Sequence, residues 1–371
     1  MLIRFWVSNY RCFRDKAELD FTDKKNYWFG KECVRGDFLE KIVMLGNNGS
    51  GKTSFGYAIL DIIGTVTGFS KDIGQNDPDC FINGYGDSDR ATFHYEFYHR
   101  GMVIEYEYTK TSPDAIVRER LAVNCSTVFD YDLSDPDASL FRLESVGADR
   151  LDVSRINGSV SLVRMMSDVC RFDADSPVRV VADFAKHSVY YRAMWKLDEH
   201  IGVIDDEDDI EKYVVENNLV GDLTEFLRDR CHIDLSLACS GDRLVVRTSG
   251  KDLPFFSTVS RGTVLLCRLY CWNRRSSGMD ALMFFDDFDD LFDYRTAEEV
   301  MTHIIRSSVA QCIFVTHNVG LISSDSLRPD CCFLIRDGGL RSLSSLTDKN
   351  IRRGNNLEKM MRDGQFYLQF R

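Results

Sequence analysis

The octapeptide Gly46-Asn47-Asn48-Gly49-Ser50-Gly51-Lys52-Thr53 constrains this chain more than any other stretch. It fits G-x-x-x-x-G-K-[ST], the pattern of a phosphate-binding P-loop. An apolar run, Ile42-Val43-Met44-Leu45, leads in, and Phe55, Ile59 and Ile62 follow at helical spacing. The motif thus falls between a buried strand and a helix N-terminus, where its chemistry needs it. The glycines let the backbone take positive φ and close on phosphate oxygens. The backbone amides from Asn47 through Asn48, Gly49, Ser50, Gly51, Lys52 and Thr53 to Ser54, together with the positive end of the helix dipole, then face the anion. The Lys52 ammonium is expected to reach the β- and γ-phosphates and the Thr53 hydroxyl to ligate Mg²⁺. ATP and Mg²⁺ are therefore the expected cofactors.

Around this centre the pattern alternates between strand and helix. Residues 2–7 and 17–21 read as strands joined by a polar loop. Residues 65–90, rich in Gly, Asp, Ser and Asn, read as a loop. Residues 91–98 and 102–110 read as a hairpin turning at His99-Arg100-Gly101. The stretch 120–230 carries less pattern. Residues 181–195 are spaced as a helix interrupted by Ser188, and residues 219–227 as an amphipathic helix. Asp205-Asp206-Glu207-Asp208-Asp209 reads as a solvated loop or helix start, with a metal site as the lesser reading. Without a sustained heptad, no long coiled-coil arm is expected.

Beyond Ile233 the signals sharpen. Residues 235–238 and 244–248 read as a hairpin. Ser260 is a good N-cap for a helix through Val264, Leu265, Leu269 and Tyr270. Leu282-Met283-Phe284-Phe285 is a buried strand ending in Asp286-Asp287. Thr296-x-x-Glu299 has the form of a capping box before a helix carrying Val300 and Ile304. A second buried strand, residues 312–315, ends in Thr316-His317-Asn318. Residues 332–335 and 340–343 close the series as a hairpin over Asp337-Gly338-Gly339.

Composition narrows the class. With 371 residues, 44% of them hydrophobic, the chain can bury the core of one large domain or two entwined ones. Six prolines and no low-complexity tract argue against a long disordered linker. The net charge of −12 repels nucleic-acid phosphates unless a local basic patch exists, so nucleic acid is a possible partner that charge does not indicate. The acidic surface suits a basic protein partner, or simply solubility. Twelve cysteines lack C-x-x-C spacing and the company of a zinc site, so buried free thiols in a reducing cytosol are expected. Residues 1–7 are too short and too charged for a signal peptide, and no apolar run approaches the ~20 residues of a membrane span. A soluble, cytoplasmic protein with no membrane partner is expected.

Three apolar strands thus deliver polar groups at their C-terminal ends: the P-loop, Asp286-Asp287 and Thr316-His317. In open α/β sheets ligands bind outside those ends. Asp286 is expected to hold the Mg²⁺ shell, as a Walker-B carboxylate does. Asp287 stands where a general base or water-orienting acid belongs, and His317 is placed to meet the γ-phosphate or the attacking water. With Lys52 these are the candidate catalytic residues; Thr53 and Asp286 are the candidate metal ligands.

The 234-residue spacing from Lys52 to Asp286 is too long for small P-loop GTPases and suits ATPase heads with an inserted domain. The opening IRFWVSNYRCFRDKAELDF resembles the N-termini of RecF- and SMC-type ABC ATPase heads. LGNNGSGKTS, STVSRGTVLL, LMFFDDFDDLFD, CIFVTHN and the tail IRRGNNLEKMMRDGQFYLQF are similar to the bacterial AAA-type proteins of the abortive-infection and OLD group. The resemblance covers both ends of the chain and little of the middle. It implies an α/β P-loop NTPase with an ABC-ATPase-like head, β-hairpins at its N-terminal side and a mainly helical insertion. The halves of the head would be residues 1–118, with Walker A, and 231–371, with signature, Walker B and switch histidine, around an insertion at 119–230.

The resemblance further implies an ATP-sandwich homo-oligomer, a dimer or higher. Ser260 and Gly262 would match the signature that contacts the γ-phosphate of the opposite protomer, His317 the switch histidine, and Arg11 the N-terminal-loop arginine near the nucleotide. Three departures stand out. Asp287 replaces the usual Glu, which moves the carboxylate back by about 1.5 Å. Asp293 replaces a familiar His, and no glutamine-loop residue is evident beyond the weak candidate Gln75. Slow turnover, with ATP as a clamp, is one expectation. Asp286, Asp287, Asp289 and Asp290 either bind a second metal or serve capping and solvation. The tail is followed by no TOPRIM nuclease, so a separate effector protein, a nuclease or toxin, is the expected partner. The leading expectation is an ATPase subunit of an anti-phage defence system. The alternatives are a RecF-like DNA repair ATPase and a non-hydrolysing scaffold.

Overall fold

The structure, a computed structural model, describes residues 1–69, 78–192, 199–202, 207–275, 279–323, 327–349 and 351–367. Its core is a seven-stranded sheet. Five strands run parallel in the order Val189–Arg192, Leu282–Asp286, Gln311–Thr316, Lys41–Leu45 and Cys332–Arg336. Glu199–Ile201 and Gly339–Ser342 close the two edges antiparallel. The three central strands are buried at every position. They read as unbroken apolar runs because both faces of a parallel sheet are covered.

A second seven-stranded sheet is wholly antiparallel: Leu140–Phe141, Ser126–Asp132, Ala115–Val123, Met102–Ser112, Ala91–His99, Leu2–Ser8 and Ala17–Asp20 in spatial order. Its central hairpin turns at Arg100 and Gly101, both at positive φ, as a two-residue loop demands.

The P-loop helix, Lys52–Ile59, lies between the two sheets. Towards the antiparallel sheet, Phe55 packs edge-on against Phe5 at 5.5 Å, and the Tyr95 hydroxyl donates to the Ala58 carbonyl at 3.1 Å. Towards the core sheet the approach is so close that a Cβ on Gly56 would stand 2.5 Å from the Phe284 ring. The far face of the core sheet is covered by Arg261–Arg275. There Trp272 sits 5.7 Å from Tyr191 and 6.4 Å from Phe285. The alternation of Tyr190 and Phe284 with Tyr191 and Phe285 is the strand period seen from two sides. Tyr294–Ser307 and Val220–Cys231 add to the helical layer, beside a small sheet of Leu237–Ser240, Arg243–Arg247 and Asp252–Pro254.

Several local expectations need correction. The helix read at 181–195 is Pro177–His187, started by a proline in its first turn. Ser188 ends it: its hydroxyl donates to the Phe184 carbonyl at 2.7 Å and accepts from the Leu282 amide at 3.0 Å. Val189, Tyr190 and Tyr191 then join the core sheet, as β-branched and aromatic residues favour. The cap of Tyr294–Ser307 is Asp293, whose carboxylate accepts from the Thr296 amide at 3.1 Å; Thr296 is therefore inside the helix. The loop read at 65–90 begins late, because the helix Asp61–Thr67 occupies its start. Among the described residues the stretch 119–230 contributes the α-helices Leu162–Val169, Pro177–His187, Glu207–Glu216 and Val220–Cys231. It also contains strands of both sheets, and the division between 118 and 119 falls inside the strand Ala115–Val123. Gln75, Trp195, Asp205 and Asp206 lie outside the described residues, as does the end of the tail. None of the twelve cysteines is in a disulfide, and Cys12, Cys80, Cys125 and Cys239 are exposed rather than buried. No helix among the described residues is long and apolar enough to cross a membrane.

Candidate functional site

All five parallel strands present their carboxyl ends along one edge of the core sheet, and four of them build a single cleft of about 480 Å³. It is lined by Cys12, Asn48, Gly49, Gly51, Lys52, Thr53, Ser54, Arg192, Asp287 and His317. Close packing fixes the shape of the P-loop. Gly51 holds φ at 103°, and a Cβ there would lie 2.8 Å from the Cys12 sulfur, so only glycine fits.

Lys52 lies at the base of the loop. Its ammonium donates to the carbonyls of Gly46 at 2.9 Å and Asn47 at 3.0 Å, and stands 3.4 Å from His317 Nδ1. Burial pulls its pKa down, while the carboxylates of Asp287 and Asp286 oppose that. The Thr53 hydroxyl donates to Asp286 Oδ2 at 2.6 Å, across 233 residues of sequence. The Tyr190 hydroxyl donates to the same oxygen at 3.1 Å. Asp286 is fully buried, and burial pushes its carboxyl up against the opposing hydrogen bond from Thr53. Its other oxygen, Oδ1, is buried with no hydrogen-bond partner.

Asp287 turns the chain out of the strand at φ 50°, a left-handed conformation that aspartate tolerates better than most residues. The turn is fixed by the Phe288 amide donating to the Val315 carbonyl at 3.0 Å. One Asp287 oxygen lies 3.2 Å from Arg192 Nε and the other 3.6 Å from His317 Nε2. The Thr316 hydroxyl donates to Asp289, and the Asn318 amide donates to Thr316 Oγ1 at 2.9 Å, so Asp289 ties two strand ends together. Among the described residues no group of three or more acidic, His or Cys side chains is arranged to hold a metal.

The residues present fit one Mg²⁺ and a nucleotide phosphate. Thr53 and Asp286 supply hard oxygens, and Asp286 Oδ1 has no protein donor to satisfy it. Mg²⁺ takes one or two protein oxygens and completes its shell with phosphate and water.

Lys52, Thr53, Asp286, Asp287 and His317 are thus brought together. Arg11 is not in the cleft lining: its guanidinium stacks over the Tyr57 ring at 4.8 Å, and its neighbour Cys12 reaches the cleft instead. Ser260 and Gly262 do not line this cleft. Ser260 is exposed and accepts from the Thr263 amide at 3.2 Å, capping Arg261–Arg275. Sequence reasoning missed Arg192 and Tyr190. Their signal is the short run Val189-Tyr190-Tyr191-Arg192, a strand ending in a polar residue like the other three.

Residues 41–323 match the family described as "AAA domain, putative AbiEii toxin, Type IV TA system", a span running from the P-loop strand past His317. The chain belongs to this AAA family. The family places the protein among AAA-type ATPases of the abortive-infection group, and the matched span contains every residue of the cleft except Cys12. Solved structures similar to this AAA-family chain include the SMC head domain from Thermotoga maritima, 14% identical, with a TM-score of 0.44, covering 91% of this chain and 97% of that one. Another is the Smc head domain with an extended coiled coil bound to the C-terminal domain of ScpA, from Pyrococcus furiosus. It is 13% identical, with a TM-score of 0.45, covering 99% of each chain. No curated protein matches the chain.

Proposed function

We propose that the protein binds and hydrolyses ATP in this cleft, and that ATP binding drives self-assembly that controls a separate effector in anti-phage defence. The observation that carries the reading is the Thr53–Asp286 hydrogen bond of 2.6 Å. It joins the first helical turn after the P-loop to the carboxyl end of Leu282–Asp286, two strands away from the P-loop strand in the core sheet, which is the pairing a nucleotide-bound Mg²⁺ needs.

The residues act in stated roles. P-loop amides and the helix N-terminus receive the phosphates. Lys52 exchanges the Gly46 and Asn47 carbonyls for phosphate oxygens, a stronger, charge-assisted contact. Mg²⁺, held by Thr53 and Asp286, would supply charge neutralisation at the phosphates. Asp287 accepts the proton of the attacking water, and His317, within 3.6 Å of it, orients that water or the terminal phosphate. Exposed Ser260, at the start of a 15-residue helix, offers an anion contact to the nucleotide of a second copy.

The abortive-infection and toxin–antitoxin wording of the family supports the defence setting. The net charge of −12 favours a protein partner over DNA. The test is phosphate release and mass in solution, with ATP and Mg²⁺, on protein purified with its native flanking genes. Turnover, an ATP-dependent gain in mass and a stoichiometric nuclease or toxin are expected. A lone chain whose ATPase rises on adding DNA would replace the defence reading with a DNA-repair one.

A further inference from the structure

Arg192 has no part in the roles above, yet it lines the same cleft as the P-loop. It ends the core strand beside Leu282–Asp286, in register with Asp286 itself. Its Nε lies 3.2 Å from Asp287 Oδ2 and 3.6 Å from Asp286 Oδ2. Asp286 is wholly buried and Asp287 nearly so, whereas a quarter of the Arg192 side chain remains exposed. Lys52 and Arg192 thus both offset the charge of Asp286 and Asp287 at the cleft.

Asp286 Oδ2 already receives Thr53 and Tyr190, and Arg192 crowds the same oxygen. With a divalent cation held by Asp286 and Thr53, the Arg192 guanidinium would be repelled from that oxygen. Both contacts run through Nε, not through the two-bond fork that makes arginine–carboxylate pairs strong. The hold is therefore one that a phosphate, offering several anionic oxygens at once, can displace.

We propose that Arg192 is a phosphate-binding residue that acts in cis, held by the Asp286–Asp287 pair at the lining of the cleft and able to meet the terminal phosphate of a nucleotide bound there. A guanidinium drawn to that phosphate would also loosen its hold on Asp287, the proton acceptor. The inference rests on the nucleotide-binding reading above and assigns a residue that discriminates triphosphate from diphosphate at that site.

The test is equilibrium binding of a non-hydrolysable ATP analogue and of ADP, each with Mg²⁺ and with EDTA, to wild type, Arg192→Ala and Arg192→Lys. Arg192→Ala is expected to weaken the analogue about tenfold or more and ADP by less than about threefold, collapsing the triphosphate preference. Arg192→Lys keeps the charge without the fork and is expected to recover part of that preference. If Arg192→Ala does not fold, Arg192→Lys alone decides, by a reduced or an unchanged preference. A preference unchanged in the variants, or equal losses for both nucleotides, overturns the proposal while leaving the nucleotide site intact. Wild type that binds neither nucleotide overturns the nucleotide-binding reading itself, and this proposal with it.

Discussion

Each of the two large sheets carries one fully buried carboxylate, Glu119 in the antiparallel sheet and Asp286 in the parallel one. Burial raises the pKa of both. Their surroundings differ. Glu119 accepts from the amides of Leu162 at 2.7 Å and Val163 at 3.3 Å, and from the hydroxyls of Tyr106 and Tyr131, each at 2.9 Å. Both of its oxygens are used, and what they hold is the start of the helix Leu162–Val169. Asp286 satisfies one oxygen with Thr53 and Tyr190 and leaves the other without a partner. A buried acid with every lone pair spoken for is a structural cap. One with an oxygen to spare, at the mouth of a parallel sheet, suits a ligand site.

That contrast can be broken at four points. The largest effect is expected from Lys52→Ala, which removes the cleft's phosphate-facing ammonium. Nucleotide affinity should fall about 100-fold or more in titration calorimetry, because charge-assisted contacts to phosphate are the strong ones. Next, Asp287→Asn should lower phosphate release about 100-fold or more while nucleotide affinity changes little, as loss of a general base does. Unchanged turnover would favour the scaffold reading. Third, Glu119→Gln leaves at least one of four buried donors facing an amide nitrogen and should cost about 2–3 kcal/mol in denaturant unfolding. Nucleotide affinity of the folded fraction should not move. Smallest is Asp286→Asn without ligand. It removes a buried carboxylate whose ionisation burial opposes, so stability should hold or rise by about 1 kcal/mol, the usual direction when a functional acid is removed. If both carboxylate variants destabilised alike, the distinction between cap and site would fail.

The same contrast explains what the sequence could reveal. The P-loop and the strands around Leu282–Asp286 and Gln311–Thr316 were legible because a buried parallel strand is an apolar run with its polar chemistry at one end. The hairpin of Ala91–His99 and Met102–Ser112 was legible from aromatic alternation and a glycine turn. Val189–Arg192 was not, because four residues of apolar sequence directly after a helix cannot be told from its continuation by periodicity. Arg192 was lost with it. Glu119 was invisible for another reason: its role depends on Tyr106, Tyr131 and a helix start about 40 residues away, which no local pattern encodes. Asp293 and Thr296 are both residue types that cap helices, and only the fold shows which one the backbone turns on.

The central claim is that the cleft between Lys52 and Asp286 takes ATP with Mg²⁺. Thermal unfolding of wild type and Lys52→Ala, with and without ATP and Mg²⁺, tests it most directly. Ligand at about 100 times its Kd stabilises the state it binds by about 2.7 kcal/mol. The account predicts a rise of several degrees in the wild-type midpoint that needs both ATP and Mg²⁺ and is absent from Lys52→Ala. A wild-type midpoint that saturating ATP and Mg²⁺ leave unmoved, or an equal rise in both proteins, would contradict it.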